Sequence, residues 1–310
     1  MVDMLAPVPA QPKEEAGSVV RGAGLLRPRR FAPYLGVLPF LLYIAVFLLW
    51  PTYIVIAGAF QDAAGRPTLE NVTAVTSGGA YLDAFVRTIE LSAVTALTGA
   101  VLGGLLAWAV AEGRPDGFLR RVVVAASGVL AQFGGVMLAF AFLATLGFNG
   151  LVTLFLQDRL GIDMFSGGAW LYGLSGLGVV YTYFQIPLML IVFLPAVDGL
   201  RVQWREASES LGGSAWTYWR RVGGPILAPS FLGATLLLFA NAFSAYATAA
   251  ALVSQGSPIV PLQIRAALTS EVLLNQANVG KALALGMIVV VVVVMSLYAL
   301  LQRRTAKWLR

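Results

Sequence analysis

Residues able to do covalent chemistry are scarce in this chain, which contains no cysteine and no histidine. Thiol nucleophiles, disulfides, Cys/His zinc sites and histidine general bases are therefore excluded. The nearest approach to a phosphate-binding P-loop is Val279-Gly280-Lys281-Ala282. It has Asn275 where the motif needs its first glycine, and an alanine where it needs serine or threonine. We therefore expect no enzyme activity, no metal and no cofactor on this chain, and any nucleotide must be bound by another polypeptide.

A second group of polar residues lies inside long apolar runs, where uncompensated polar groups are costly and often functional. Its members are uncharged: Gln132, Tyr181, Gln185, Asn241 and Ser244. At helical spacing Tyr181 and Gln185 share one face, and Asn241 and Ser244 share another. Two interpretations remain open, because these side chains could line a translocation path or could join neighbouring helices by hydrogen bonds.

One charged, helix-forming segment is enclosed by apolar runs, and it extends from Asp198 to Pro225. We call it the elbow. Arg205 and Glu209 stand one turn apart and can pair on a helix. Gly212-Gly213 can end that helix, because glycine accepts the left-handed conformation at a helix C-terminus.

Ser214 is suited to capping a second, shorter helix of the elbow. We expect Gly223-Gly224-Pro225 to close this helix before the next apolar run. Trp216 and Trp219 fall within it, either packing it against the membrane-spanning helices or filling a groove on a partner. The elbow is thus predicted to be a helix-turn-helix on one face of a membrane.

The amino-acid composition indicates that lipid, and not water, surrounds most of the remaining chain. Hydrophobic residues make up 58% of the 310 residues, charged residues only 12%, and the mean hydropathy is +0.80. Soluble domains carry about 25% charged residues. The net charge of +6 comes from basic residues that flank apolar runs, which favours lipid headgroups over nucleic acid as partners.

About 20 apolar residues cross a bilayer as a helix, and six runs of suitable length are present. They are Val37–Phe60, with Pro51 predicting a kink, Leu91–Ala111, a run from after Arg121 to Leu146, Ala169–Leu194, Ile226–Val253 and Ala282–Leu301. A turn is predicted at residues 147–150, followed by a loop with a short interfacial helix. The expected organisation is a polar tail (1–30), one all-α six-span domain (31–302) and a basic tail (303–310).

Within the second run, Gly99 and Gly103 form a G-x-x-x-G pattern. Small residues at this spacing let helix backbones approach closely in lipid. The chain contains 33 glycines, so this spacing can also occur by chance. A helix–helix contact at Gly99 and Gly103 is therefore one of two interpretations.

Basic residues give the orientation, since they are concentrated in cytoplasmic loops. With the N-terminus placed in the cytoplasm, sixteen Lys and Arg residues fall inside and five outside. Both termini and the elbow are therefore predicted to be cytoplasmic.

The elbow resembles the E-A-A-x(3)-G-x(9)-I-x-L-P loop of ABC importer permeases. Glu206, Ala207, Gly212 and Pro225 fall at the family's spacing, with Leu211 just before the glycine. Three positions depart, with Ser208, Val222 and Gly224 in place of alanine, isoleucine and leucine. In that family, the helix that bears the glutamate is seated in a groove of the ATP-hydrolysing subunit.

The resemblance implies a type I (MetI-like) permease subunit of a bacterial inner membrane importer. Its expected partners are ABC ATPase subunits that bind the ATP, a second six-span permease, an extracytoplasmic solute-binding protein and membrane lipid. Leu211-Gly212-Gly213-Ser214 and the stretch 239–248 look like the polyamine, opine, phosphonate and ferric-iron branch. Polyamine uptake is the predicted activity, with ferric iron, phosphonate or sugar as alternatives and a non-transport membrane scaffold as the alternative of another class.

Overall fold

The computed structural model describes residues 32–77, 79–253, 256, 258–269 and 276–306. Contacts divide the chain into two units, Met1–Pro51 and Thr52–Arg310. The predicted tail of residues 1–30 lies outside the described residues, as do residues 307–310 of the predicted C-terminal tail.

The described part of the first unit is helical. Helix α1 (Ala32–Ile44) runs into a wide π-helical turn at Ala45–Leu49, and α2 (Trp50–Ala59) follows. Pro51 has no N–H group, and its ring clashes with the carbonyl four residues earlier in a regular helix. The π-helical turn widens the helix at the place where this clash would occur.

The second unit is built from further helices, and its described residues contain one isolated β-bridge, Gln61–Pro67, but no strand. The helices are α3 (Glu70–Ser77), α4 (Gly79–Ala111), α5 (Phe118–Gln132), α6 (Gly135–Leu146), α7 (Leu151–Leu160), α8 (Leu174–Asp198), α9 (Val202–Ser210), α10 (Ala215–Tyr218), α11 (Gly224–Phe243), α12 (Ala247–Leu252), α13 (Val260–Thr269) and α14 (Gln276–Ala306).

Within the described residues, six helical segments are long and apolar enough to cross a membrane, which confirms the predicted number. They are Val37–Ala59, Gly79–Ala111, Gly135–Leu160, Leu174–Asp198, Ala215–Phe243 and Ala277–Leu300. The third includes both the predicted turn at residues 147–150 and the short helix α7 after it, so α7 lies within this apolar segment and not in the loop beyond it that was expected. The last helix continues to Ala306, into the region predicted as a basic tail.

Two of the predicted runs prove to be broken helices. The run from after Arg121 to Leu146 was expected to be one helix, but α5 ends at Gln132 and α6 begins at Gly135. Gly135 has a left-handed φ of 66°, which interrupts the helix. The run Ile226–Val253 likewise ends early, at Phe243, where the Ser244 hydroxyl donates to the carbonyl of Ala240 and competes with helix continuation.

The core of the second unit lies where α4 packs along α8, with α11 beside them. A Cβ atom on Gly99 would lie 2.4 Å from the Cβ of Gln185. One on Gly103 would lie 2.5 Å from the carbonyl oxygen of Ile186 and 2.5 Å from the Cβ of Met189. The G-x-x-x-G pattern therefore marks a close helix–helix contact, and this reading is confirmed.

A polar turn follows the first membrane-spanning segment. One carboxylate oxygen of Asp62 accepts hydrogen bonds from the backbone N–H groups of Ala64 and Arg66, and the other forms an ion pair with the Arg66 guanidinium at 2.7 Å. The hydrogen bond from the backbone of Arg66 holds the pKa of Asp62 below its ordinary value. This pair is exposed and local, so it stabilises the turn without joining separate helices.

Candidate functional site

The elbow carries a helix that the described part of the chain leaves largely exposed. Helix α9 (Val202–Ser210) has no buried residue, although it contains Val202 and Trp204. Val202 is 66% exposed, and Leu211, directly after the helix, is 89% exposed. The Glu206 carboxylate is also exposed and has neither an ion-pair nor a hydrogen-bond partner among the described residues. A free carboxylate beside exposed aliphatic groups is a surface suited to docking a protein.

The first half of the elbow folds as its residue types predict. The Arg205 guanidinium and the Glu209 carboxylate form an ion pair at 3.2 Å. Gly212 adopts a left-handed φ of 77°, and its N–H group donates to the carbonyl of Glu209. The following N–H group, on Gly213, donates to the carbonyl of Ser208 and ends the helix. The predicted ion pair and glycine stop are both confirmed.

The second half begins as predicted and continues differently. The Ser214 hydroxyl accepts a hydrogen bond from the N–H group of Thr217, so Ser214 is the predicted N-cap of α10. The predicted closure at Gly223-Gly224-Pro225 is wrong, because Gly223 and Gly224 keep helical dihedrals and lead directly into α11. A π-helical turn at Trp219–Gly223 precedes Pro225 and accommodates its ring, as the earlier π-helical turn does for Pro51.

The two tryptophans of the elbow have different surroundings. Trp219 packs against the core and meets Trp108 of α4 edge-to-face, with ring centroids 6.2 Å apart. Trp216 is 73% exposed, so the first alternative, packing on the membrane-spanning helices, is not found for this ring, and a partner's groove remains the other hypothesis. The π-helical turn rotates Trp219 and the residues after it relative to α10, which the regular helical spacing could not indicate.

An open, mainly apolar groove runs between α9 and the beginning of α11. It is lined by Trp204, Ala207, Ser208, Leu211, Gly213, Thr217, Arg221, Val222 and Ile226. Four residues of the permease-like loop, Ala207, Ser208, Leu211 and Val222, therefore share this groove, whereas Pro225 is exposed beyond it.

An ion pair that the sequence did not predict holds the beginning of the elbow. The Arg120 guanidinium, in the first turn of α5, lies 2.5 Å from the carboxylate of Asp198, the last residue of α8. Their side chains are 18% and 38% exposed, so the arginine is largely shielded from water. The residues are 78 positions apart, and charge alternation along one helix gives no signal for such a pair.

The polar residues of the apolar runs separate into two sets. Tyr181 and Gln185 are buried inside the unit. The Tyr181 hydroxyl donates to the carbonyl of Ala245, and the Gln185 amide nitrogen donates to the hydroxyl of Thr95 at 3.5 Å. These two residues join helices, which is the second interpretation of their sequence pattern.

The other three polar residues are exposed at helix ends. Gln132 ends α5, while Asn241 and Ser244 lie at the end of α11. The two breaks are neighbours, because the hydroxyl of Thr248 donates to the carbonyl of Gly135 at 3.2 Å. Helix breaks at membrane depth occur where backbone is buried in protein or lines a water-filled cavity.

Comparisons with known proteins support a single fold. No family model matches the sequence, and no curated protein matches it. Among solved structures, a bacterial ABC transporter involved in the import of the acidic polysaccharide alginate matches with a TM-score of 0.69 and 18% identity, over 90% of this chain and 96% of that one. The same kind of transporter in complex with an alginate pentasaccharide-bound periplasmic protein matches with a TM-score of 0.72 and 17% identity, over 89% and 95%.

A more distant match is the MetNI methionine ABC transporter in inward-facing conformations, with a TM-score of 0.54 and 17% identity, over 73% of this chain and 96% of that one. All three are similar in helix arrangement and far apart in sequence, so they inform on fold alone. Together with the six apolar helices, they confirm the predicted fold class: this chain has the all-α, six-span fold of ABC importer membrane subunits.

Proposed function

We propose that this chain is the membrane subunit of an ATP-driven importer and forms half of its translocation path. The observation that carries the proposal is α9, a helix without a single buried residue that presents the free carboxylate of Glu206 and the side chain of Leu211. The exposed side chains of Val202 and Leu211 beside this carboxylate offer a partner apolar area and a charge to bind. The fold and the resemblance of the elbow to the permease loop both support an ABC ATPase, which would bind and hydrolyse the ATP, as this partner.

The orientation follows from the same proposal. The elbow and both termini lie in the cytoplasm of a bacterial inner membrane, and an extracytoplasmic binding protein delivers the solute to the other face. A second six-span permease completes the path. Gln132, Asn241 and Ser244 are the residues that we place along it, because they are exposed at the two adjacent helix breaks. Tyr181 and Gln185, which are buried, hold the helices that shape it.

The solute is proposed from residue types. The three path residues carry amide and hydroxyl groups and no charge, so they can hydrogen-bond a solute without forming an ion pair with it. Polyamine is the first solute to test, because the Leu211–Ser214 stretch looks like that branch, and its charge would be recognised mainly by the binding protein. Ferric iron, phosphonate and sugar are the other classes to include.

Reconstitution in proteoliposomes tests this function. The chain is combined with the ATPase, second permease and binding protein that the proposal requires, and uptake is measured with spermidine, ferric citrate, a phosphonate and an oligosaccharide. We expect ATP-dependent uptake of one of these four solutes, and the proposal favours spermidine. We expect no uptake when the ATPase is omitted. A scaffold predicts no uptake of any solute, and ATP-independent uptake would contradict an importer driven by a partner ATPase.

A further inference from the structure

Helix α5 connects two places that the proposed function treats separately, the elbow and the pair of helix breaks. With 15 residues it is about 22 Å long at 1.5 Å per residue. Of its residues, only Ser127 is buried. The helix packs along α8, with Val123 and Val124 against the core, and the rest of its surface is not enclosed by the core.

The N-terminal end of α5, here called its lower end, is attached to the elbow by the Arg120–Asp198 ion pair. Its C-terminal end, at Gln132, is called the upper end. Asp198 ends α8, and α9 begins at Val202. Because only three residues separate them, a movement of α9 displaces the Asp198 carboxylate. Among the described residues, the other two ion pairs are the exposed, local Asp62–Arg66 and Arg205–Glu209 pairs. The Arg120–Asp198 pair is the one there that joins two separate helices.

The upper end of α5 meets a glycine turn. After Gln132 the chain passes through Gly134 and then Gly135, whose φ of 66° is accessible mainly to glycine. The carbonyl of Gly135 accepts the hydroxyl of Thr248, and a Cβ atom on Gly135 would lie 3.5 Å from the Cβ of Ala247. A displacement of α5 therefore reaches the second break, next to the exposed Asn241 and Ser244.

We propose that α5 is a rigid strut that transmits movement of the elbow to the paired helix breaks, with the Arg120–Asp198 ion pair as its lower joint and Gly135 as its upper joint. Its part in import rests on the proposed function. Coupling of this kind requires an element whose position both ends influence. Helix α5 meets this requirement because the ion pair attaches one end to the elbow and the glycine turn connects the other end to the second break. Arg120 and Asp198 are positioning residues, which act on the path through α5.

The first test measures the strut without relying on transport. Hydrogen exchange is followed in the full chain in lipid nanodiscs for the wild type, Asp198→Asn and Arg120→Gln. Loss of the lower joint is expected to increase exchange about fivefold or more at the backbone amides of residues 134–137 and 245–248, corresponding to a coupling of ordinary size. Arg66→Gln, which breaks an exposed pair elsewhere, should leave both segments unchanged. Unaltered exchange there in both ion-pair variants would overturn the strut.

The second test measures its part in import in the reconstituted complex, as solute transported per ATP hydrolysed. Asp198→Asn and Arg120→Gln should lower this ratio about fivefold or more while ATPase activity persists. The reversed pair, Arg120→Glu with Asp198→Arg, should recover most of it, and Gly135→Ala should lower it through the upper joint. Unchanged ratios in the single variants, or no recovery in a folded reversed pair, would overturn this role. A wild-type complex that transports no solute would refute the proposed function, and hydrogen exchange would then decide the strut alone.

Discussion

Replacing Glu206 by lysine should reduce ATP-driven uptake about tenfold or more in the reconstituted complex, while the chain still inserts into the membrane. The Glu206 carboxylate is exposed and free of partners among the described residues, so the substitution disturbs no contact within the described fold. At the proposed contact with the ATPase, the substitution places a lysine ammonium where a carboxylate was bound. A cationic group of the ATPase that binds Glu206 would then face a like charge, and such contacts cost several kcal/mol. Each 1.4 kcal/mol corresponds to about tenfold in affinity.

The matched control is Asp116→Lys, which makes the same charge change at an exposed position in the loop between α4 and α5. Uptake and ATPase association should stay close to wild type in this variant. If Glu206→Lys retained both full uptake and a bound ATPase, the assignment of α9 as the docking helix would be wrong.

The largest expected effect on stability is at Gly103. A Cβ atom there would lie 2.5 Å from the carbonyl oxygen of Ile186, and this backbone atom can move only if α4 and α8 separate. Overpacking of this kind costs about 1–3 kcal/mol and occasionally more. Gly103→Ala should therefore lower the thermal midpoint and the folded yield of the chain in detergent.

Gly128→Ala provides the control for this substitution. Gly128 also lies in a helix, α5, but a Cβ atom there meets nothing within 4 Å. Because alanine favours a helix over glycine by up to about 1 kcal/mol, this variant should be as stable as the wild type or more stable. A Gly103→Ala chain with an unchanged midpoint would show that the close contact of α4 with α8 is not required.

Local signals explain which features the sequence predicts. The Arg205–Glu209 pair, the left-handed Gly212 and the Ser214 cap each depend on residues within a turn of one another, and each is found in the structure. Apolar runs of about 20 residues predicted the number of membrane-spanning segments, but not the breaks inside two of the runs. The G-x-x-x-G contact also has a local pattern, although its partner helix, α8, has no mark in the sequence.

The features that sequence reasoning missed depend on distant or competing interactions. Gly223-Gly224-Pro225 has the composition of a helix stop, but a π-helical turn accommodates the proline and the helix continues. Hydropathy gave no sign of the breaks at Gly135 and Ser244, because both lie within apolar runs. The Arg120–Asp198 pair required knowledge of which helices are neighbours.

Cross-linking from Leu211 tests the central claim, that the elbow docks on an ATPase, most directly. The chain contains no cysteine, so Leu211→Cys can be labelled at one site with a photoactivatable maleimide in the assembled complex. Leu69→Cys is the matched control, because Leu69 lies in the loop between the first two membrane-spanning segments, on the predicted extracytoplasmic side, and is 66% exposed. We expect an adduct with the ATPase from position 211 and none from position 69. An assembled complex in which position 211 forms no ATPase adduct, or position 69 does, would contradict docking of the elbow on an ATPase.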